Sequence, residues 1–251
     1  MSAALALGRR ALREAGRSPD ALVPALFIPI FFLVVNTGQA AKIFPSGSTG
    51  FLEGQGYGAF QLPTTLLLSA SFGAAALFLV EEIEGGYFDK LRVTPISRSA
   101  IVFGRLIAEG AKCTLLAAAI VLLALPFGIS IASGVVGFVL LIALTAGWGV
   151  VYAGFMQLIA LKTRSAAATQ SGSMVFFPLL FLTPNFVPRD LLTRPMEVAA
   201  TLNPVTYLME ALRSLVLEDL VWADVWPGFA IVAVLGALML WLNVRAISRY
   251  D

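Results

Sequence analysis

Histidine is absent from this chain, and cysteine occurs once, as Cys113. The first absence removes imidazole as a metal ligand, general base or activator of a nucleophile, and the second removes any intrachain disulfide. No G-x-x-x-x-G-K-[ST] stretch occurs either, so the loop that cradles nucleotide phosphates in P-loop ATPases is missing. Charge is scarce as well: 13% of residues are Asp, Glu, Lys or Arg, against about 25% in soluble domains. A His-ligated metal enzyme, a Cys-His hydrolase and a self-contained P-loop ATPase are thereby excluded. Cys113 reads as a small packing residue of a helix, and no metal site is expected.

What is abundant is apolar surface, with 59% hydrophobic residues and a mean hydropathy of +0.87. Charge-free runs cover 21–41, 54–80, 113–161, 165–188 and 225–244, and each reaches the ~20 residues that cross a bilayer as a helix. The third run is long enough for two crossings and is interrupted by Pro126-Phe127-Gly128 and Ser133-Gly134, which places a turn at 126–134. The expected fold is therefore an all-α integral membrane protein forming one transmembrane domain over 1–251. Its six transmembrane helices fall at about 21–38, 60–80, 106–125, 135–158, 166–184 and 226–244.

Orientation follows from where the cations fall. With the N-terminus inside, Arg9, Arg10, Arg13, Arg17, Lys90, Arg92, Arg98, Arg105, Lys112, Lys162, Arg164, Arg245 and Arg249 lie on the inner side. Lys42, Arg189, Arg194 and Arg213 lie on the outer side. Both termini are accordingly expected in the cytoplasm; the richness in Ala, Gly, Val and Leu hints at a GC-rich bacterial source, and a bacterial inner (plasma) membrane is the expected location. A net charge of +2 calls for no nucleic-acid partner once this asymmetry is explained by topology. Residues 1–19 read as an interfacial helix, with Ala4, Leu5, Ala11, Leu12 and Ala15 on one side and the arginines at the lipid headgroups. The alternative is a cleaved leader with Gly38-Gln39-Ala40 as the small-residue site.

Between the second and third spans lies EEIEGGYFDKLRVTPISRSAIVFGR, residues 81–105, far richer in charge than a short connector requires. Glu81, Glu82 and Glu84 are unfavourable at the C-terminal end of a helix and favourable at a start, so a break is expected after Val80. Gly85-Gly86 supplies a bend. Tyr87, Phe88 and Leu91, flanked by Asp89, Lys90 and Arg92, form a short amphipathic helix suited to a groove on a partner. Thr94-Pro95 ends it, Ser97 caps the next helix, and Arg98 and Arg105 sit at headgroup level. A solvated connector is the plainer alternative.

A second polar region is LNPVTYLMEALRSLVL, residues 202–217. Asn203 suits an N-cap and Pro204 the first helical position, and Leu208, Leu212 and Leu215 form a stripe opposite Glu210 and Arg213. A half-buried outer helix, re-entrant or interfacial, is expected before span six, and Trp222 and Trp226 mark the boundary beside it. Inside the spans, Arg105, Glu109 and Lys112 can pair along one helix face as structural ballast. Thr65, Ser69 and Phe72 share a side of span two; Thr169, Gln170, Ser173 and Phe177 share a side of span five. These seven residues either line a polar route or glue helices together.

The acid, Gly, aromatic, Asp-Lys-Leu and Thr-Pro-Ile-Ser-Arg order of 81–105, with the Asn-Pro, Tyr, Glu-Ala and Arg order of 202–217, resembles the ABC-2 type permeases; the short outer loop and a compact chain without a large extra domain look most like their drug-efflux branch, such as the daunorubicin-resistance permeases. The resemblance implies an exporter subunit that makes no bond itself. ATP and magnesium would be bound by two separate ATPase subunits, and this chain would carry no cofactor. Glu81, Glu82, Glu84, Gly85, Gly86, Phe88, Asp89, Leu91, Pro95 and Arg98 would couple to those ATPases. Thr65, Ser69, Phe72, Thr169, Gln170, Ser173 and Phe177 would line the cargo route at the axis of a homodimer embedded in membrane lipid. Asn203, Pro204, Tyr207, Glu210 and Arg213 would form the outer gate. Export of polysaccharide or lipid-linked glycan, a non-transporting scaffold that docks an ATPase, and secondary transport remain the alternatives.

Overall fold

The computed structural model describes residues 3–16, 19–45, 50–72, 75–86 and 97–248. Phe88, Asp89, Leu91 and Pro95 of the expected coupling helix, with Tyr87, Lys90, Arg92 and Thr94, lie outside the described residues, as does the side chain of Arg98. Among the described residues every regular element is helical: α1 Ala3–Gly16, α2 Pro19–Ala40, α3 Tyr57–Ser71, α4 Ala75–Glu84, α5 Arg98–Ala124, α6 Gly134–Thr163, α7 Ala166–Ser173, α8 Phe176–Phe181, α9 Arg194–Leu202, α10 Pro204–Leu217 and α11 Trp222–Ser248.

Among the described residues, four helices are long and apolar enough to cross a membrane, at Leu22–Ala40, Ser99–Phe127, Gly134–Thr163 and Trp222–Ser248. They run past the expected spans because a charge-free run marks only what hydrocarbon can hold, while the helix continues into its charged flanks. Ser97, for instance, caps α5 by accepting from the Ala100 N–H at 3.3 Å, well before the apolar stretch begins. The turn expected at 126–134 is present: α5 gives way to a short 3₁₀ turn at Leu125–Phe127, and α6 starts at Gly134.

The stretches expected as spans two and five are each divided. Phe72 leaves the helical region with ψ 79°, separating α3 from α4, and a turn at Met174-Val175 separates α7 from α8. Helix α3 is the centre of the bundle, and every residue from Tyr57 to Ser71 is buried. It packs on α2, α5, α6 and α10, while α6 lies between α5 and α11. A helix enclosed on all sides must satisfy its polar groups locally. Accordingly Thr65 Oγ1 donates to the Gln61 carbonyl at 3.1 Å, Ser71 Oγ donates to the Leu67 carbonyl, and Trp148 Nε1 donates to Ser71 Oγ at 2.9 Å.

Helix α1 lies against α5, with Gly8 at the crossing. A Cβ there would come within 3.0 Å of the Gly104 carbonyl oxygen, so glycine sets the closeness of the two helices. The expected interfacial helix is thus present as a helix, and one side of it is occupied by protein.

Candidate functional site

Helix α4 carries the chain toward the segment expected to dock a partner. The break expected after Val80 is absent: α4 continues through Glu81, Glu82 and Glu84 and stops at Gly85-Gly86. Gly86 has φ 69°, a conformation that costs a glycine nothing and strains any L side chain. Three acids at a helix C-terminus oppose the macrodipole, and the cost is offset because the Glu82 carboxylate is held by two guanidinium groups. Arg10 Nη2 of α1 reaches its Oε1 at 3.1 Å, and Arg105 Nη2 of α5 pairs with its Oε2. Glu82 therefore ties three elements together, whereas Glu81 and Glu84 are exposed.

Arg105 is drawn to Glu82, so the expected three-residue row on α5 reduces to a Glu109–Lys112 pair. Cys113 is buried beside that pair, its thiol 3.7 Å from Glu109 Oε1 and 3.9 Å from the Ala70 carbonyl.

The residues expected to line a cargo route divide by environment. Ser69 Oγ donates to the Ala25 carbonyl of α2 at 2.7 Å and so joins two helices, and Thr169 Oγ1 donates to the Ser165 carbonyl at the start of its own helix at 2.8 Å; both are buried. Ser173 Oγ donates to the Gln170 carbonyl at 2.6 Å on α7, where the Gln170 side chain is exposed. Thr65 and Phe177 come together in a narrow cleft of about 30 Å³ between α2, α3 and α8, and Phe72 meets Phe177 edge to face at 6.5 Å. That volume admits about one water, not a cargo molecule.

Sequence reasoning missed the polar wall of this cleft. Thr64 Oγ1 donates to Asn185 Oδ1 at 2.6 Å, and Gln61 Nε2 donates to the Asn185 carbonyl at 3.0 Å and to the Tyr57 hydroxyl at 2.8 Å. The Oε1 of Gln61 is buried and has no hydrogen-bond partner among the described residues. A signal was available: Gln61 and Asn185 are amides toward the outer ends of the charge-free runs 54–80 and 165–188.

At the expected outer gate, Asn203 caps α10 by accepting from the Val205 N–H at 3.0 Å, and its Nδ2 donates to the Leu179 carbonyl at 2.6 Å. Pro204 occupies the first turn. Tyr207 donates to the Thr201 carbonyl at 2.9 Å and lies 5.2 Å from the Arg189 guanidinium, which forks onto the Glu210 carboxylate at 2.7 and 3.0 Å. Arg213 departs from expectation. Helix α10 is buried along eleven of its fourteen residues rather than on one side, and Arg213 turns inward. Its Cζ stands 3.6 Å from the Phe60 ring centroid, and Nε and Nη2 have no hydrogen-bond partner among the described residues. Phe60 supplies the reason, because a desolvated guanidinium gains on an aromatic face what it lacks in hydrogen bonds. Burial pulls the Arg213 guanidinium down to about 9, with Glu210 and Tyr57 pulling the other way, so it stays a cation at neutral pH.

Two comparisons bear on what this arrangement belongs to. Residues 2–217 match the family model described as ABC-2 type transporter. The chain is also 24% identical over 243 residues, 94% of its own length and 82% of the relative's, to the daunorubicin resistance ABC transporter permease protein DrrB1 of Streptomyces coeruleorubidus.

Proposed function

Because the chain belongs to the ABC-2 type transporter family, we propose that it is the permease of an ATP-driven exporter that moves amphipathic drugs or lipids out across a bacterial inner membrane. The reading takes six crossings, counting α3–α4 and α7–α8 as one each, with both termini in the cytoplasm. Two copies face each other, and each engages an ATPase subunit that holds ATP and magnesium. The cargo class rests on the relative named for daunorubicin resistance.

The observation that carries the mechanism is the Glu82 node. A push on residues 87–96 reaches α4 through a single glycine turn, and α4 is fastened by Glu82 to α1 and α5. Movement at the docking segment is therefore delivered to three helices together and tilts them against α3 and α6. Repeated closure and opening of the ATPases would switch the space between the two copies from inward to outward access, with α10 and the Arg189–Glu210 fork closing the outer end.

The test is to purify the chain from its native membrane and assay the ATPase that accompanies it, with and without amphipathic drugs. Drug-stimulated turnover is the expected result. A partner indifferent to drugs would redirect the cargo to glycans or lipids, and no ATPase partner would sink the reading. Paired substitution Glu81→Arg with Glu84→Arg reverses exposed charge at the docking edge while sparing Glu82. It should abolish co-purification of the ATPase and leave membrane insertion intact.

A further inference from the structure

Two guanidinium groups, two aromatic faces and one carboxylate cluster at the outer end of the fold. Arg189 forks onto Glu210 and lies 5.2 Å from the Tyr207 ring. Arg213, with Nε and Nη2 unpartnered among the described residues, lies 3.6 Å from the Phe60 ring. Glu210 precedes Arg213 by three residues on α10, and side chains so spaced are neighbours on a helix surface. The carboxylate is thus engaged by an arginine of the Arg189–Leu191 turn, while the arginine of its own helix rests on a ring.

The surroundings of Arg213 are fixed. Ser133 Oγ and the Ala132 N–H donate to the Leu215 and Val216 carbonyls at 2.5 and 3.0 Å, and Gln55 Nε2 donates to the Val216 carbonyl at 2.8 Å, which clamps the end of α10. The Phe60 ring is braced edge to face by Phe51 at 5.2 Å and stacked on Tyr57 at 5.6 Å. A change of partner is therefore a swing of the Arg213 side chain, with helix and ring left in place. The fork is the contact that can yield, because both its members are part-exposed and an ion pair of that kind is screened by salt. The aromatic face steadies Arg213 as a cation, but it leaves two N–H groups idle that a carboxylate would engage. We propose that Glu210 is shared: when Arg189 lets go, Arg213 leaves the Phe60 ring and takes the carboxylate, and Arg189 falls back on the Tyr207 ring. The turn that carries Arg189 is then held to α10 by a stack instead of a fork, and Glu210 is paired in both states. Such an exchange makes the outer end two-state rather than gradually yielding. It is a property of this chain alone and stands apart from the exporter reading, so its test uses neither ATPase nor cargo.

The purified chain in mild detergent would be treated with p-hydroxyphenylglyoxal, a water-soluble arginine reagent, and the adducts read residue by residue by peptide mass spectrometry. Arg194, 85% exposed and three residues from Glu197, is the internal reference for an exposed arginine beside an acid. Wild-type Arg213 should carry about a tenth of the Arg194 label or less. Arg189→Gln frees Glu210 and should raise the Arg213 label roughly fivefold; Arg189→Lys, which leaves Glu210 a cation, should not. Adding Glu210→Gln to Arg189→Gln removes what draws Arg213 out, and the label should return to the wild-type level. An Arg213 label that does not rise in Arg189→Gln would overturn the proposal. So would an equal rise with and without Glu210→Gln, since the helix end would then be loosened and no partner exchanged. If Arg189→Gln elutes aggregated, Phe60→Leu decides the matter. It takes away the inward face, so Arg213 should displace Arg189 and both should gain label, whereas an unchanged Arg189 would sink the exchange.

Discussion

Two guanidinium groups share the Glu82 carboxylate, and the two contacts are not equivalent. The Arg10 side chain is 42% exposed, while those of Arg105 and Glu82 are 13% and 10% exposed. An exposed pair contributes about 0–1 kcal/mol, whereas removing one partner of a buried pair costs about 3–5 kcal/mol, chiefly by leaving a charge without its counterion. Arg10→Gln should therefore change stability in detergent by less than about 1 kcal/mol, and Glu82→Gln should cost about 3 kcal/mol. Thermal unfolding of both variants checks this. Equal losses would mean that the node is held from the α1 side. Arg213 is the reverse case, a buried cation held by an aromatic face and by distant charge rather than by a direct acid. Its position on the helical stripe pointed to solvent; the Phe60 ring, brought there only by tertiary packing, decided otherwise.

At the scale of elements, glycine and sulfur set how closely α5 and α6 approach. A Cβ on Gly149 would lie 2.3 Å from Cys113 Sγ and 3.0 Å from its Cβ. Overpacking of this kind costs about 1–3 kcal/mol. Gly149→Ala should lower the unfolding temperature, and Cys113→Ala in the same chain should restore part of the loss, giving a non-additive cycle. Strict additivity would show that the two helices separate freely. The long helices and the turn at 126–134 were legible in the sequence because a bilayer imposes length and apolarity on whatever crosses it. The α3–α4 break was not, since Phe72 carries no turn chemistry. The continuation of α4 through its acids was equally hidden, because its compensation comes from Arg10 and Arg105 on other helices. The candidate site divides in the same way. Caps such as Ser97 and Asn203 act within a few residues and can be read locally; the Gln61–Asn185 wall and the Glu210 fork join residues far apart in the chain.

For the whole molecule, orientation in the membrane is the property on which every functional assignment depends. Helix α6 spans about 45 Å at 1.5 Å per residue, so its two ends emerge on opposite faces of a bilayer. Ala132 and Thr163 are exposed just before its start and at its end, and the native Cys113 is buried, which should shield it from thiol reagents. A membrane-impermeant maleimide on intact cells should label Ala132→Cys directly and Thr163→Cys only after permeabilisation. The opposite pattern would invert the assignment drawn from the arginines and lysines.

The Gly8–Gly104 crossing also has a meaning for how the protein is made. Helix α1 leaves the ribosome ahead of α5, the surface it lies on, and its ionic partner Glu82 is 72 residues from Arg10. At the pace of synthesis, this interval lasts on the order of 10 s. During that time an amphipathic arm rich in arginine lacks its main protein surface and can rest on the headgroups of the membrane. Helix α1 thus waits for a surface made later in the chain, and a nascent chain halted before residue 104 would hold α1 on lipid rather than on α5.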